Sequence, residues 1–285
     1  MRLDYKILWI DDDKDDVETL AESLNDFLQS QGFVLKKIWA KDEKSLEDLL
    51  STTIDFDFIF VDNSFDDEEL GVEFIEQLRN KKVYADILFF SSVASKEKLK
   101  KEVIKKSIQS IYIYTKTEIT RDPSLFENII QYRINKEMDT ASLRGIAMAE
   151  VAEFDSIIWD IIKSHSNCKD KLADVVKDCR QSKYQELRNK DAEYIWQKID
   201  EKGTAIIDSC HMHKFLCEEI LKDKKLRYVE EAHECSEAYH PKILKKRNLL
   251  AHKRDCMGID EQIEFRKDLI KFREIFNKLK QELCA

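Results

Sequence analysis

Asp11, Asp12 and Asp13 follow directly on an apolar run, Ile7-Leu8-Trp9-Ile10. Three more polar residues stand in comparable places: Asp62 closes the run Phe58–Val61, Ser91 closes Ile87–Phe90, and Lys116 lies just past Ile111–Tyr114. Adjacent carboxylates repel one another and need a cation, and an oxygen-only donor set favours a hard ion such as Mg2+. Three carboxylates, a hydroxyl and an ammonium converging on one crevice suit acyl-phosphate chemistry. One Asp would attack phosphorus, the other two would hold Mg2+ against the phosphoryl oxygens, and the hydroxyl and ammonium would bind those oxygens directly. Acids at this position also fit an ordinary helix N-terminus, where Asp is favoured as cap and in the first turn.

A second set lies far downstream. The stretch Lys242-Ile-Leu-Lys-Lys-Arg-Asn-Leu-Leu-Ala-His-Lys-Arg254 holds six Lys/Arg and no acid. Lys242, Lys245, Lys246, Lys253 and Arg254 would supply the positive footprint that a phosphate backbone attracts. Within it, His252 suits proton transfer near neutral pH, and Arg247 can clamp a phosphate bidentately. These two suffice for metal-free RNA cleavage, in which the 2′-hydroxyl attacks the adjacent phosphorus while Arg247 offsets the developing charge. Asn248 and His252 are four apart and share a helix face, so Asn248 can orient the imidazole. Arg247 is five positions from His252, roughly 140° around a helix, so one helix does not easily aim both at one phosphorus. Two copies across a twofold would supply the missing partner. The alternative is a surface helix with a structural Arg and a satisfied His. Cys210, His213 and Cys217 share another helical face, with His211, His233 and Cys235 near them in sequence. Their spacing matches no standard zinc pattern, and buried thiols beside ordinary histidines account for them.

The elements that must position the first set are legible from periodicity. Apolar runs at 7–10, 56–61 (interrupted by Asp57), 87–90 and 111–114, with a looser strand at 33–40, alternate with helical spacings such as Val17, Leu20, Leu24 and Leu28. Five β-α units over residues 1–135 predict a doubly wound parallel sheet, whose ligands bind at the strand C-terminal ends. Residues 136–285 predict an all-α bundle. Ile134 to Ser164 reads as one continuous helix, a stiff joint and a possible dimer seam. Further helices are expected at about 168–200, 204–222, 226–239, 241–255 (with Pro241 in its first turn) and 259–283.

Composition sets the bounds. Length allows two domains, and five Gly and two Pro in 285 residues leave room for few loops. Mean hydropathy is -0.51, and no apolar run approaches the ~20 residues of a membrane helix. Acids from Asp4 onward interrupt any signal-peptide core, and seven Cys without a Cys-x-x-Cys suggest reduced thiols in the cytosol. Residues 1–135 carry 28 acids and 19 Lys/Arg, whereas residues 136–285 carry 29 of each. The first half is therefore a poor host for nucleic acid, and the second could bind it if its basic residues cluster.

Leu-Trp-Ile-Asp-Asp (8–12), Phe-Ile-Phe-Val-Asp (58–62), Ile-Leu-Phe-Phe-Ser (87–91) and Tyr-Ile-Tyr-Thr-Lys (112–116) occur in order. In this the chain resembles the receiver domain of two-component response regulators over about residues 4–134. The resemblance implies a flavodoxin-like five-stranded sheet, Asp62 as phospho-acceptor, Asp11 and Asp12 with Asp62 as Mg2+ ligands, Ser91 as switch hydroxyl and Lys116 as phosphoryl contact. It also implies a sensor histidine kinase or other phosphodonor as partner, and a cytoplasmic setting. Three features depart from the pattern. Thr117 stands where Pro is usual, which puts the expected cis peptide in doubt. Acids fill 66–69 in a longer segment after Asp62. Ile113 sits at the aromatic switch position, between Tyr112 and Tyr114. Residues 138–283, with Arg247-Asn-Leu-Leu-Ala-His252, resemble the HEPN superfamily. This implies a metal-independent endoribonuclease effector acting as a homodimer on RNA, with an accessory acid for which Glu150, Glu153 and Asp155 are candidates. The competing expectation is a phosphorelay adaptor whose helical domain only dimerises or binds a protein.

Overall fold

The computed structural model describes residues 3–52, 55–65, 68–178, 182–202, 206–222, 228–253 and 257–284. The chain divides into two compact units, Arg2–Met138 and Asp139–Ala285.

The first unit is α/β. Strands β1 (Asp4–Ile10), β2 (Val34–Ala40), β3 (Phe58–Asp62), β6 (Asp86–Ser91) and β7 (Ile111–Thr115) form one parallel sheet in the order β2-β1-β3-β6-β7. This is the flavodoxin-like doubly wound order. The central strands β3 and β6 are buried along their whole length, as is β1 from Ile7 to Ile10. A strand covered on both faces needs unbroken apolar runs rather than alternation. Helices α1 (Lys14–Ser30), α2 (Glu43–Thr52), α3 (Gly71–Asn80), α4 (Lys96–Lys105), α5 (Lys116–Arg121) and α6 (Ser124–Glu137) follow in turn. Asp13 caps α1 by accepting from the backbone N–H groups of Asp15 and Asp16. Gly32 ends that segment at φ 76°, a backbone state that suits glycine. On one face Trp9 stacks on Phe60 at 5.3 Å, and Phe60 meets Phe126 of α6 at 5.6 Å. Arg133 of α6 donates to Asp86 at the start of β6.

Two features of this unit differ from expectation. The segment after Asp62 holds a small antiparallel pair, β4 (Ser64–Phe65) with β5 (Glu68–Glu69); Asp66 and Asp67 lie outside the described residues. A short helix, α5, precedes α6 because Thr115 and Glu118 form a reciprocal capping box right after β7. No cis peptide occurs among the described residues, so Lys116–Thr117 is trans.

The second unit is helical, with α7 (Thr140–Ser164), α8 (Lys169–Asp178), α9 (Ala192–Lys202), α10 (Ser209–Phe215), α11 (Val229–Ala238), α12 (Lys245–His252) and α13 (Ile259–Leu283). The long helices α7 and α13 pack on each other. Phe154, Tyr239, Phe272 and Phe276 form the aromatic centre, all within 6.5 Å of a neighbouring ring.

The expected continuous helix from Ile134 to Ser164 is corrected. It breaks at Met138–Asp139, because Asp139 takes extended geometry and caps α7 through the Ser142 N–H at 2.9 Å. The expected helix at 168–200 is likewise two, since Asp191 caps α9 by accepting from Tyr194 N–H. The expected 204–222 helix starts only at Ser209, where Asp208 caps it, and runs on through a π turn at Leu216–Ile220. Pro241 is not in the first turn of a new helix. The chain stays helical from Val229 to His252, with a π turn over Tyr239–Leu244 around the proline. Proline lacks an N–H and crowds the carbonyl one turn back, and a wider turn relieves both.

Candidate functional site

Strands β1 and β3 are neighbours, and Ile10 pairs with Val61. That register sets Asp11 level with Asp62 at the sheet's C-terminal edge, where the strand order reverses and ligands of such sheets bind. Asp11 is 1 % exposed and Asp62 3 %. One carboxylate oxygen of each is engaged locally: Asp11 Oδ1 accepts from Asp13 N–H at 2.8 Å, and Asp62 Oδ1 accepts from Ser64 N–H at 2.9 Å. The other oxygen of each has a different setting. Asp11 Oδ2 is buried with no hydrogen-bond partner among the described residues, and Asp62 Oδ2 lies 3.9 Å from the Lys116 ammonium. Burial pushes the Asp11 carboxyl up to about 7 and the Asp62 carboxyl up to about 6. The Asp13 N–H opposes this at Asp11, as the Ser64 N–H and Lys116 do at Asp62. Two buried carboxylates that resist ionising side by side call for a compensating cation.

Asp62 and Lys116 border a cavity of about 520 Å³ together with Asp12, Asp13, Lys14, Asp15, Ser64 and Ser92. Among the described residues no group of three carboxylates, imidazoles or thiols stands ready to hold a metal ion. The donors still suit Mg2+, which keeps several waters and takes one or two carboxylates beside phosphate oxygens. The orphaned Asp11 Oδ2 fits that role.

Ser91 is brought to the same edge but turned into the fold. It is 1 % exposed, and its Oγ accepts from the N–H groups of Val93 and Ala94. The hydroxyls that border the cavity are those of Ser64 and Ser92, neither of which sequence reasoning singled out. Lys116 opens α5, and its nearest carboxylate is Asp16 of α1. Burial pulls its ammonium down, but Asp16, Asp11 and Asp62 outweigh that and shift it up. The acidic run Asp11–Asp16 was the available signal for Asp16.

In the helical unit Arg247 is half-buried and lines a cavity of about 450 Å³ with Asp155, Trp159 and Met212. Asp155 Oδ2 accepts from the Ser209 hydroxyl at 2.8 Å. Burial raises its carboxyl to about 6 against the opposing effects of Ser209 and Arg247. Asp155 Oδ1 and Arg247 Nε have no hydrogen-bond partner among the described residues. Of the three accessory-acid candidates, Asp155 is thus the one beside Arg247; Glu150 pairs with Arg273 at 3.4 Å, and Glu153 is exposed. Asn248 and His252 are exposed, and neither lines that cavity. No bond joins Arg247 to His252 among the described residues. Arg144 of α7 donates instead to the carbonyls of Leu250 and Lys253 at the end of α12.

The basic run is partly neutralised. Lys242 and Lys246 both reach Asp268, at 3.4 and 3.5 Å. Lys245 and Lys253 are exposed, and Arg254 lies outside the described residues. Another cavity, of about 640 Å³, is lined by Cys210, His213, Cys217 and Tyr239 among others. Burial pushes both thiols up, and His213 stacks on Tyr239 with ring centroids 3.6 Å apart.

No helix among the described residues is long and apolar enough to cross a membrane. No protein-family model and no curated protein matches this sequence. Among solved structures, the chain is similar to the signal receiver domain of a DNA-binding response regulator from Colwellia psychrerythraea 34H. The two are 15% identical, the match covers 46% of this chain and 98% of that one, and the TM-score is 0.36.

Proposed function

We propose that the α/β unit accepts a phosphoryl group on Asp62, and that the protein is a two-component response regulator whose helical unit carries the output. The supporting observation is the burial of Asp11 and Asp62 on adjacent strand ends, with Asp62 Oδ2 3.9 Å from the Lys116 ammonium and both Asp62 and Lys116 bordering one cavity. Oδ2 is the oxygen free to attack, since Oδ1 is held by Ser64. It forms a new O–P bond while the bond from phosphorus to the donor breaks, and the donor leaves with the electron pair. The donor would be the phosphohistidine of a sensor kinase or a small acyl phosphate. Lys116 binds a phosphoryl oxygen. Asp11, Asp12 and Asp62 would hold Mg2+, which supplies positive charge against the phosphoryl oxygens. Ser91 still has its hydroxyl proton to donate, because its oxygen is the acceptor in both of its bonds.

The test is the intact mass of the full chain after incubation with Mg2+ and acetyl phosphate. A phosphoryl adduct on the wild type and none on Asp62→Asn is expected. No adduct on the wild type, or an adduct that survives the substitution, overturns the assignment.

For the output, a metal-independent ribonuclease using Arg247, His252 and Asn248 gains support from the half-buried Arg247 beside Asp155. It requires a homodimer, in which the exposed His252 of one copy serves the Arg247 of the other. The adaptor alternative is favoured by the pairing of Lys242 and Lys246 with Asp268, which leaves less free positive charge for RNA. RNA cleavage that is lost in both His252→Ala and Arg247→Ala, with the fold intact, supports the nuclease. Equal inactivity of wild type and variants, with and without acetyl phosphate, supports the adaptor.

A further inference from the structure

The Lys116 ammonium is shared unequally. Its closest contact is the Asp16 carboxylate, while Asp62 Oδ2 is 3.9 Å away. Asp16 sits in the first turn of α1, and Lys116 is the first residue of α5. The ion pair therefore ties two helix starts across the site. It is about one-third exposed on the Asp16 side and one-fifth on the Lys116 side, so the tie is modest in strength and can exchange. Lys116 and Lys14 are the cations lining a cavity otherwise bordered by Asp12, Asp13, Asp15 and Asp62 among the charged residues. Whichever anion holds Lys116 decides how much positive charge reaches the Asp62 oxygen.

We infer that Asp16 is a positioning residue that competes with Asp62 for Lys116: it holds the ammonium in the unphosphorylated protein and yields it when a phosphoryl group arrives. This rests on the assignment of Asp62 as phospho-acceptor and adds to it a built-in restraint. A phosphoryl group on Asp62 brings up to two negative charges and new acceptor oxygens to Lys116. The lysine then leaves Asp16, and the tie between α1 and α5 opens. No atom of Asp16 enters the phosphoryl transfer.

The experiment has two arms, both on the full chain. In the first, surface lysines are acetylated with dilute acetic anhydride, and the modification rate of Lys116 is followed by peptide mass. Loss of its carboxylate partner in Asp16→Asn should raise that rate about twofold to fivefold. The Asp15→Asn variant removes an equal charge from the same helix turn and should leave the rate much nearer to wild type. In the second arm, phosphorylation by acetyl phosphate with Mg2+ is timed. Asp16→Asn should be phosphorylated about twofold to fivefold faster than wild type, and that gain should vanish when Lys116→Ala is added. An equal gain in Asp15→Asn, or a gain that persists without Lys116, means simple charge repulsion of the donor and overturns the inference. An unchanged Lys116 acetylation rate in Asp16→Asn also overturns it. A wild type that takes up no phosphoryl group overturns the Asp62 assignment instead, and the acetylation arm reports the Asp16–Lys116 tie separately.

Discussion

His213 and Asp155 carry opposite pH dependences within the helical unit. Burial depresses His213 to about 3, so unfolding lets it take a proton that the fold denies. Its contribution to stability is present above its ordinary value near 6.5 and is lost as pH falls below that. Burial raises Asp155 to about 6 from 3.8. Its contribution is present below its ordinary value and is lost as pH rises through about 6. Each slope is about 1.4 kcal/mol per pH unit, so the two oppose each other between about pH 4 and pH 6. Urea unfolding of the full chain at pH 4.5 and 6 should expose them. Relative to wild type, Asp155→Asn should gain about 2 kcal/mol on going to pH 6, and His213→Phe should lose about as much. Profiles parallel to wild type in both variants would contradict the assigned directions. Neither effect was legible in sequence. His213 looked like one member of a loose Cys/His group, and only the stacking of Tyr239 against it shows how completely it is shut in.

Elements meet tightly where α3 begins. A Cβ on Gly71 would lie 2.6 Å from a ring carbon of Phe89 and 2.7 Å from both the Asn63 Cα and the Asp62 carbonyl oxygen. The Gly71 N–H also donates to the Asn63 carbonyl at 3.3 Å. The glycine lets the helix start against the strand end that carries Asp62, and the backbone atoms it would strike cannot yield by rotating a side chain. Gly71→Ala should cost about 1–3 kcal/mol and slow phosphoryl uptake by moving Asp62. Urea midpoints and the timed mass assay check both, and a variant equal to wild type in the two assays refutes the role. The apolar run at 56–61 located β3 within a residue or two, because such a run is a strong local signal. The helix break at Met138–Asp139 and the π turn around Pro241 were missed for a complementary reason. Asp139 and Pro241 each fit either a helix interior boundary or a continuation, and the surrounding packing chooses between them.

At the scale of the whole chain, each unit has a core of its own. The α/β sheet buries Leu8, Ile59, Val61, Ile87 and Phe89, and the helical unit buries Phe154, Phe272 and Phe276. Units with separate cores fold separately. Chains cut between Met138 and Asp139 should therefore each give cooperative thermal unfolding by circular dichroism. A non-cooperative profile from either piece would show that its core is incomplete without the other. With a beryllofluoride phosphate mimic, a native mass shift to twice the chain is the expected sign that Asp62 controls assembly. An unchanged mass together with unchanged RNA binding removes that route of control.

The sequence by itself determined the parallel sheet, the helical second half and the set of polar residues at the strand ends. Runs buried on both faces must be apolar throughout, and the first polar residue after each run marks where the strand leaves the core. Only the tertiary structure decided which partners those residues take. Lys116 rests on Asp16, Ser91 bonds to its own loop, and Arg247 lines a cavity with Asp155 that His252 does not border. The choices at Lys116 and Arg247 depend on side chains brought close by segments far apart in the chain, and no local periodicity encodes that distance.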